Sequence, residues 1–303
     1  MSAATIPLKF QVGARTLFAL PRRLVRVACD LADVRADRAP ALPALPADAH
    51  GYLVTSLPER HAGAVAASAG LLAVRRQGYT RSHVDLSIGF EAWQAGLSGN
   101  TRSGLKRKAK KLATANGGTL DVERFAGPAA LERFHAEARA LSAKTYQERL
   151  MGAGLPDTAA FRQEMLARGA ADTVRAWLLR VGGTPVAYLY CPAVADTLIY
   201  DRLGHDPDWA EHSPGAVLQL EALRDLMAEG RFAWFDFTEG DGQHKRQFAS
   251  GGAVCVDLLL LRPTPVNRLA VAALGRFDAL MAWGKQAADR PALRGLARRL
   301  RRG

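Results

Sequence analysis

The chain has 303 residues, 49% of them apolar, which suits a globular protein with a real core and excludes a disordered or low-complexity one. Lys and Arg exceed Asp and Glu to give a net charge of +12, a balance that favours anionic partners: nucleic acid, an anionic membrane surface or a phosphorylated ligand. Cys29, Cys191 and Cys255 are odd in number and far apart, so they offer neither a disulfide framework nor zinc spacing, and a reducing, cytoplasmic compartment is expected.

The opening MSAATIPLKFQVG lacks the apolar core of a signal peptide. The longest apolar runs, VDLLLL and RLAVAALG, fall far short of the roughly 20 residues a spanning helix needs, so the chain reads as soluble or peripheral on the inner face of a membrane. Residues 9–34 read as strand pieces forming a hairpin. Arg38–Gly51 carries three prolines and no aromatic residue and reads as a linker. GYLVTSLP is a strand, ERHAGAVAASAGLLAVRRQG a helix stopped by Gly78, and YTRSHVDLS a strand. A basic helix ends at Gly117-Gly118, and TLDVERF is a strand. A long helix then opens on Pro128 and runs to Pro156, and a further helix is capped by Asp157. VRAWLLRVGGTPVAYLYCPAVADTLIYDRLGHD reads as three strands, with turns at Gly182-Gly183 and near Ala195-Asp196. A helix beginning Ser-Pro-Gly, the strand FAWFDFTEG, a short helix in GQHKRQFASGG, the strand AVCVDLLLLRP and a helical tail from Val266 complete the chain.

Ser213-Pro214-Gly215 has two readings. Ser can cap and Pro suits the first helical turn. The same start leaves N–H groups at Gly215, Ala216 and Val217 for an anion, with Gly215 and Ala216 keeping side chains clear of a pyrophosphate. Neither an ATP P-loop nor a GxGxxG pattern is present.

The order of motifs decides more than any one of them. Gly183-Thr184-Pro185-Val186-Ala187 is followed by Tyr200-Asp201-Arg202-Leu203-Gly204-His205-Asp206. Ser213-Pro214-Gly215-Ala216-Val217-Leu218 comes next, then Phe235-Asp236-Phe237 with Lys245 and Phe248. From about Ser98 to Ser250 this resembles the C-terminal half of GNAT-superfamily acyltransferases, in the branch akin to FemAB-type and cellulose-biosynthesis-type acetyltransferases. The resemblance implies an α/β (α+β) GNAT fold, a mixed twisted sheet flanked by helices. Residues 1–97 would be a degenerate GNAT-like lobe, 98–263 the acyltransferase domain and 264–303 a basic helical tail. It implies an N-acyltransferase that takes acyl-CoA rather than a charged tRNA and needs no metal. The thioester would lie between TLIYDRLGH and FAWFDFTEG, and the pyrophosphate on Ser213, Pro214, Gly215, Ala216 and Val217. Backbone N–H near Leu203 and Gly204 would serve the oxyanion, and Lys245 joins the donor-binding set.

Amide formation needs a base for the amine and an acid for the leaving thiolate. DFTEGDGQHK offers Asp236, Glu239, Asp241 and His244. Asp241 suits a solvated turn, while Asp236 alternates within an aromatic strand. His244 stands where the resembling proteins carry Tyr. His212 beside Ser213 reads as part of a helix start, since neighbours there seldom face each other. His205, His212 and His244 lack metal spacing, and Cys191 reads as buried. In SAKTYQERL, Lys144, Tyr146, Gln147 and Glu148 read either as a solvent face or as the lining of an acceptor cleft.

The basic segments TRSGLKRKAKK and RGLARRLRRG contain no aromatic residue, which argues against nucleic acid. Leu293, Leu296 and Leu300 share one helical face with Arg298 and Arg302 around it, as on an anionic membrane surface; a solvated basic face is the other reading. On the membrane reading the amine acceptor is an amino sugar, a lipid or a lipid-linked envelope precursor. A non-catalytic accessory protein at the membrane is the rival function.

Overall fold

The computed structural model describes residues 3–12, 15–145, 154–240 and 242–288. In chain order the elements are β1 (Ala4–Val12), β2 (Arg15–Ala28), α1 (Leu31–Arg35), β3 (Gly51–Pro58), α2 (Ala62–Ser68), β4 (Leu72–Asp85), α3 (Phe90–Gly96), α4 (Gly99–Ala115), β5 (Asp121–Phe125) and α5 (Pro128–Ser142). They continue with α6 (Ala159–Ala170), β6 (Val174–Val181), β7 (Thr184–Val194), β8 (Thr197–Ile199), β9 (Arg202–His205), α7 (Pro214–Glu229), β10 (Trp234–Asp236), α8 (Gln243–Phe248), β11 (Gly251–Leu261) and α9 (Pro265–Ala288). Two compact units result, residues 1–79 with 254–303, and residues 80–253. The first is thus assembled from both ends of the chain, where the sequence reading drew boundaries at 97/98 and 263/264.

In the first unit β1 and β2 form an antiparallel hairpin, β2 runs parallel to β3, and β3 pairs antiparallel with β11. A parallel step requires a crossover, and α1 with the Pro-rich stretch supplies it. That stretch is tied down: the Tyr52 hydroxyl donates to the Pro43 carbonyl at 2.5 Å, and Arg262 donates to the carbonyls of Leu45, Pro46 and Ala49. Leu274 of α9 closes a core with Leu8, Leu24, Leu259 and Leu261. The helix expected across 59–78 is a correction. It ends at Ser68, and a strand begins at Leu72 with Gly78 inside it. From Leu72 to Gln77 exposure alternates residue by residue, a period of two that the helical reading of LLAVRRQ missed.

In the second unit the strand order is β4 (its end), β10, β8, β7, β6, β5, with β9 also on β7. The apolar runs of β6 and β7 are explained by burial on both faces. Trp177, Leu179, Ala187, Leu189 and Cys191 face a core closed by α3, α4 and α7. Ala176, Leu178, Tyr188 and Tyr190 face one closed by α5 and α6. This mixed sheet, flanked by helices on both faces, is the architecture the resemblance implied. The cap of α6 is Thr158, whose hydroxyl accepts the Phe161 N–H, not Asp157. The long helix opened by Pro128 ends at Ser142. Among the described residues no helix is long and apolar enough to cross a membrane.

Candidate functional site

Strands β8 and β10 pair in parallel over three rungs, Thr197 with Trp234, Leu198 with Phe235 and Ile199 with Asp236. The Tyr200 N–H then donates to the Asp236 carbonyl at 2.9 Å, and the two chains part. Beyond Tyr200 the backbone continues as β9, whose partner among the described residues is β7 alone. Beyond Asp236 the other chain swings the opposite way, and the Phe237 N–H donates to the Ser82 carbonyl at 3.1 Å.

A buried charge pair fixes that divergence. Asp236 is 1% exposed and accepts from Arg81 Nη2 at 2.5 Å, Arg81 Nε at 3.2 Å and the Thr238 N–H at 2.8 Å. The arginine draws the end of β10 towards β4. The third bond holds Thr238 in a left-handed conformation (φ 62°), a conformation a β-branched residue seldom adopts without such support.

A cleft of about 380 Å³ lies where the strands part. Tyr200 and His205 line it from the β8–β9 side, Gly215 and Gln219 from α7, His244 from α8 and Lys108 from α4. Two of its polar atoms have no partner: His205 Nδ1 and Gln219 Nε2 are buried and unbonded. Unbonded buried amide and imidazole groups are costly, and these two fit a ligand that supplies polar partners. Gly215 adds a steric indication. A Cβ there would lie 3.0 Å from Leu203 Cδ2 and 3.8 Å from His205 Nδ1, so glycine leaves the helix start open to the cleft. Burial lowers the His205 imidazole below its ordinary range, and the Asp206 carboxylate opposes this. Burial lowers His244 as well, and the neighbouring Lys245 charge adds to it. Burial raises the Tyr200 hydroxyl, so it keeps its proton. The Tyr200 and His244 ring centroids are 6.1 Å apart.

Several residues singled out in the sequence sit differently from expectation. Ser213 is left-handed (φ 52°) and its side chain makes no capping bond. Its carbonyl accepts the N–H groups of Ala216 and Val217 at 3.1 and 3.2 Å, so these two are not free donors. Pro214 has no N–H to offer, which leaves the Gly215 N–H. A Cβ on Gly204 would meet the Tyr188 ring at 2.4 Å, so packing alone demands glycine there. Lys245 Nζ donates to the Glu239 and Gly240 carbonyls at 2.5 and 3.3 Å and thereby clamps the loop that follows β10. Lys144 pairs with Asp206 at 3.3 Å. Tyr146, Gln147, Glu148 and Asp241 lie outside the described residues. The His212 ring packs on Trp209, 5.0 Å between centroids. No group of three metal-ligating side chains occurs among the described residues.

Sequence reasoning gave Tyr200 and His205 no role at the site and passed over Gln219. The available signal for Gln219 was position: it stands one turn after Gly215, the one uncharged polar residue in PGAVLQLEALRDLM, on the face that Gly215 opens.

Residues 99–246 match the family model described as an acetyltransferase (GNAT) domain; the chain carries a GNAT domain over that stretch. A comparison with curated proteins returns no match. Among solved structures, the C-terminal domain of a protein described as a lysylphosphatidylglycerol synthetase, from Agrobacterium fabrum, is similar at 14% identity, covering 78% of this chain and 73% of that one, with a TM-score of 0.53. FemX is similar at 9% identity, covering 89% of this chain and 91% of that one, with a TM-score of 0.52. At these identities the likeness is one of fold.

Proposed function

We propose that this GNAT-domain protein is an acyl-CoA-dependent N-acyltransferase whose reaction centre is the cleft between β9 and β10. The observation that carries the reading is the parting of β8 and β10 after three rungs beside an open helix start, with His205 and Gln219 left unbonded in the gap. The donor's pyrophosphate is assigned to the start of α7, at the Gly215 N–H and the positive end of the helix, with Lys108 adding charge at the rim. The unpaired edge of β9 at Leu203 and Gly204 faces the reacting carbonyl and supplies the oxyanion donor.

Among the three proton-transfer candidates, His244 takes the role of base. It lines the cleft, and its lowered basicity keeps it neutral and able to accept the amine proton near pH 7. Asp236 is saturated by Arg81 and Thr238 and acts as the anchor that keeps the cleft open. Glu239 belongs to the loop held by Lys245. As the amine attacks, its proton passes to His244, the C–S bond breaks, and the Tyr200 hydroxyl protonates the departing thiolate. The phenolate is restored from His244, directly or through water.

The first unit is read as a GNAT-like lobe that has lost its donor site. The acceptor is an amine on an amino sugar, a lipid or a lipid-linked envelope precursor. The name of the lysylphosphatidylglycerol synthetase neighbour, and the arginine-rich 290–302 segment read as a membrane anchor, favour the lipid-linked choices. Calorimetric titration with CoA and acetyl-CoA, followed by thiol release with a panel of amines, tests the reading. Binding of CoA by the full chain is expected. No CoA binding, with binding of charged tRNA instead, would overturn the donor assignment.

A further inference from the structure

Helix α9 has two apolar faces, and the first unit covers one of them. On the inner face Asn267, Ala270 and Leu274 are buried. Asn267 fixes the helix's rotation, since its side-chain carbonyl accepts from Arg22 Nε at 3.1 Å and its amide donates to the Arg262 carbonyl at 3.0 Å. On the outer face Val266, Leu269, Leu280 and Trp283 are 65%, 74%, 59% and 67% exposed. At 3.6 residues per turn these four fall on one stripe, which exposed Ala273 and Arg276 continue between them. With rotation pinned by Asn267, α9 cannot roll this stripe inward.

We propose that the outer face of α9 docks on an anionic lipid bilayer, lying in the plane of the interface with Leu269, Leu280 and Trp283 in the acyl region. Charge selects this occupant. Exposed Arg268 and Arg276 accompany the stripe, and the sequence beyond α9 continues with Arg290, Arg294, Arg298, Arg299, Arg301 and Arg302. Guanidinium groups among leucines reach lipid phosphates by extending their stems, and an indole suits the headgroup boundary. A second copy of the chain suits the face poorly. Arg276 sits near the middle of the stripe, so two-fold pairing brings the two Arg276 groups together in the seam, a like-charge contact inside an apolar interface. At 24 residues the helix is long enough to span but not apolar enough, which leaves the in-plane arrangement. The inference shares the membrane reading of the preceding section but not its agent, because it places the apolar contact on α9 rather than on residues 290–302.

The test is co-sedimentation of the full chain with phosphatidylcholine–phosphatidylglycerol vesicles and with phosphatidylcholine alone. Three proteins are compared: wild type, the variant Leu269→Ser/Leu280→Ser/Trp283→Ser, and a chain ending at Pro291. Because the three substituted side chains are exposed, the circular dichroism spectrum and melting temperature of the variant should match wild type. We expect the variant to lose mixed-vesicle partitioning by about tenfold or more, as removal of that much inserted apolar surface requires. Retained partitioning in the folded variant overturns the proposal, and if the truncated chain alone fails to bind, the anchor is the arginine-rich segment. Lost partitioning in the variant with retention by the truncated chain upholds α9 and removes that segment as anchor. A wild-type dimer that the triple variant converts to monomer, with vesicle binding unchanged, assigns the face to a second copy and also overturns the proposal.

Discussion

The Tyr200 N–H donates to the Asp236 carbonyl at 2.9 Å, and among the described residues this is the last backbone bond between the two strands that frame the cleft. The Asp236 side chain is at the same time bound to Arg81 through both oxygens. One residue therefore closes the ladder with its backbone and sets the divergence beyond it with its carboxylate.

Arg81→Ala leaves that carboxylate buried without its counter-ion. Removing one member of a buried pair costs about 3–5 kcal/mol, and urea denaturation should show a loss of this size. Asp236→Asn should cost a similar amount, because it removes the charge facing the buried Arg81 guanidinium and replaces one of the two accepting oxygens with a donor. Equal stability of Arg81→Ala and wild type would show that the pair does not hold the strand end.

Gly215→Glu should abolish CoA binding with the fold retained, because it sets bulk and negative charge where the pyrophosphate is assigned. Gly215→Ala is the graded control: its Cβ meets Leu203 Cδ2 at 3.0 Å, a side-chain atom that can shift, so affinity should fall modestly. Unchanged affinity of the Glu variant in calorimetry, with an unchanged circular dichroism spectrum, removes α7 from the donor site.

His244→Phe should lower turnover by roughly 10²–10⁴-fold, with CoA affinity little changed. Because burial and Lys245 lower the imidazole, the acid limb of kcat/KM should lie below the ordinary histidine value of about 6.5. An acid limb above that value, or near-normal turnover of the Phe variant, would place the base elsewhere.

The lowered basicity of His205 and His244 also has a sign in stability. The unfolded chain binds protons on these rings more readily than the folded one, so stability rises with pH in this range. Their contribution is complete above about 6.5 and is lost as pH falls through the lowered folded values. Melting temperatures recorded downward from neutral pH should fall, and His205→Asn should flatten that fall. A melting temperature that climbs on acidification would contradict the assigned direction.

Residues 290–302 and α9 should differ in their response to salt. Charge attraction to lipid phosphates is screened over a Debye length of about 8 Å at physiological ionic strength, so vesicle attachment through the arginine-rich segment weakens as salt rises. Attachment through Leu269, Leu280 and Trp283, with Arg268 and Arg276 beside them, weakens less. Salt titration of the chain ending at Pro291 should therefore show a flatter curve than the full chain, and neither should bind neutral vesicles well.

The sheet of the second unit was legible because turn chemistry and apolar runs agree there: Gly182-Gly183 separates β6 from β7, and both strands are buried on two faces. The position of the candidate cleft was legible from Ser213-Pro214-Gly215 and Phe235-Asp236-Phe237 in order. The residues within it were harder. Asp236 looks like a base in sequence because Arg81, which neutralises it, lies 155 positions away. Ser213 looks like a cap because nothing local announces its left-handed backbone. The stretch 59–78 read as helix because ERHAGAVAASAG is helical and the alternation that follows begins without a proline to mark the change. The β2–β3 crossover could not be seen at all, since a parallel pairing leaves no turn signal.

Strand β9 has β7 on one edge and no strand on the other among the described residues. A sheet left incomplete in this way is a thermodynamic account with one open line. Whatever ligand lies along that edge, satisfying the β9 backbone together with Gln219 and His205, finishes the sheet rather than merely occupying a hole. Folding and loading are then linked: at a donor concentration of 100 times Kd the native state gains about 2.7 kcal/mol. The amides of β9 should become the most newly protected from hydrogen exchange when the right donor is added, which turns the protein's own stability into an assay for its donor.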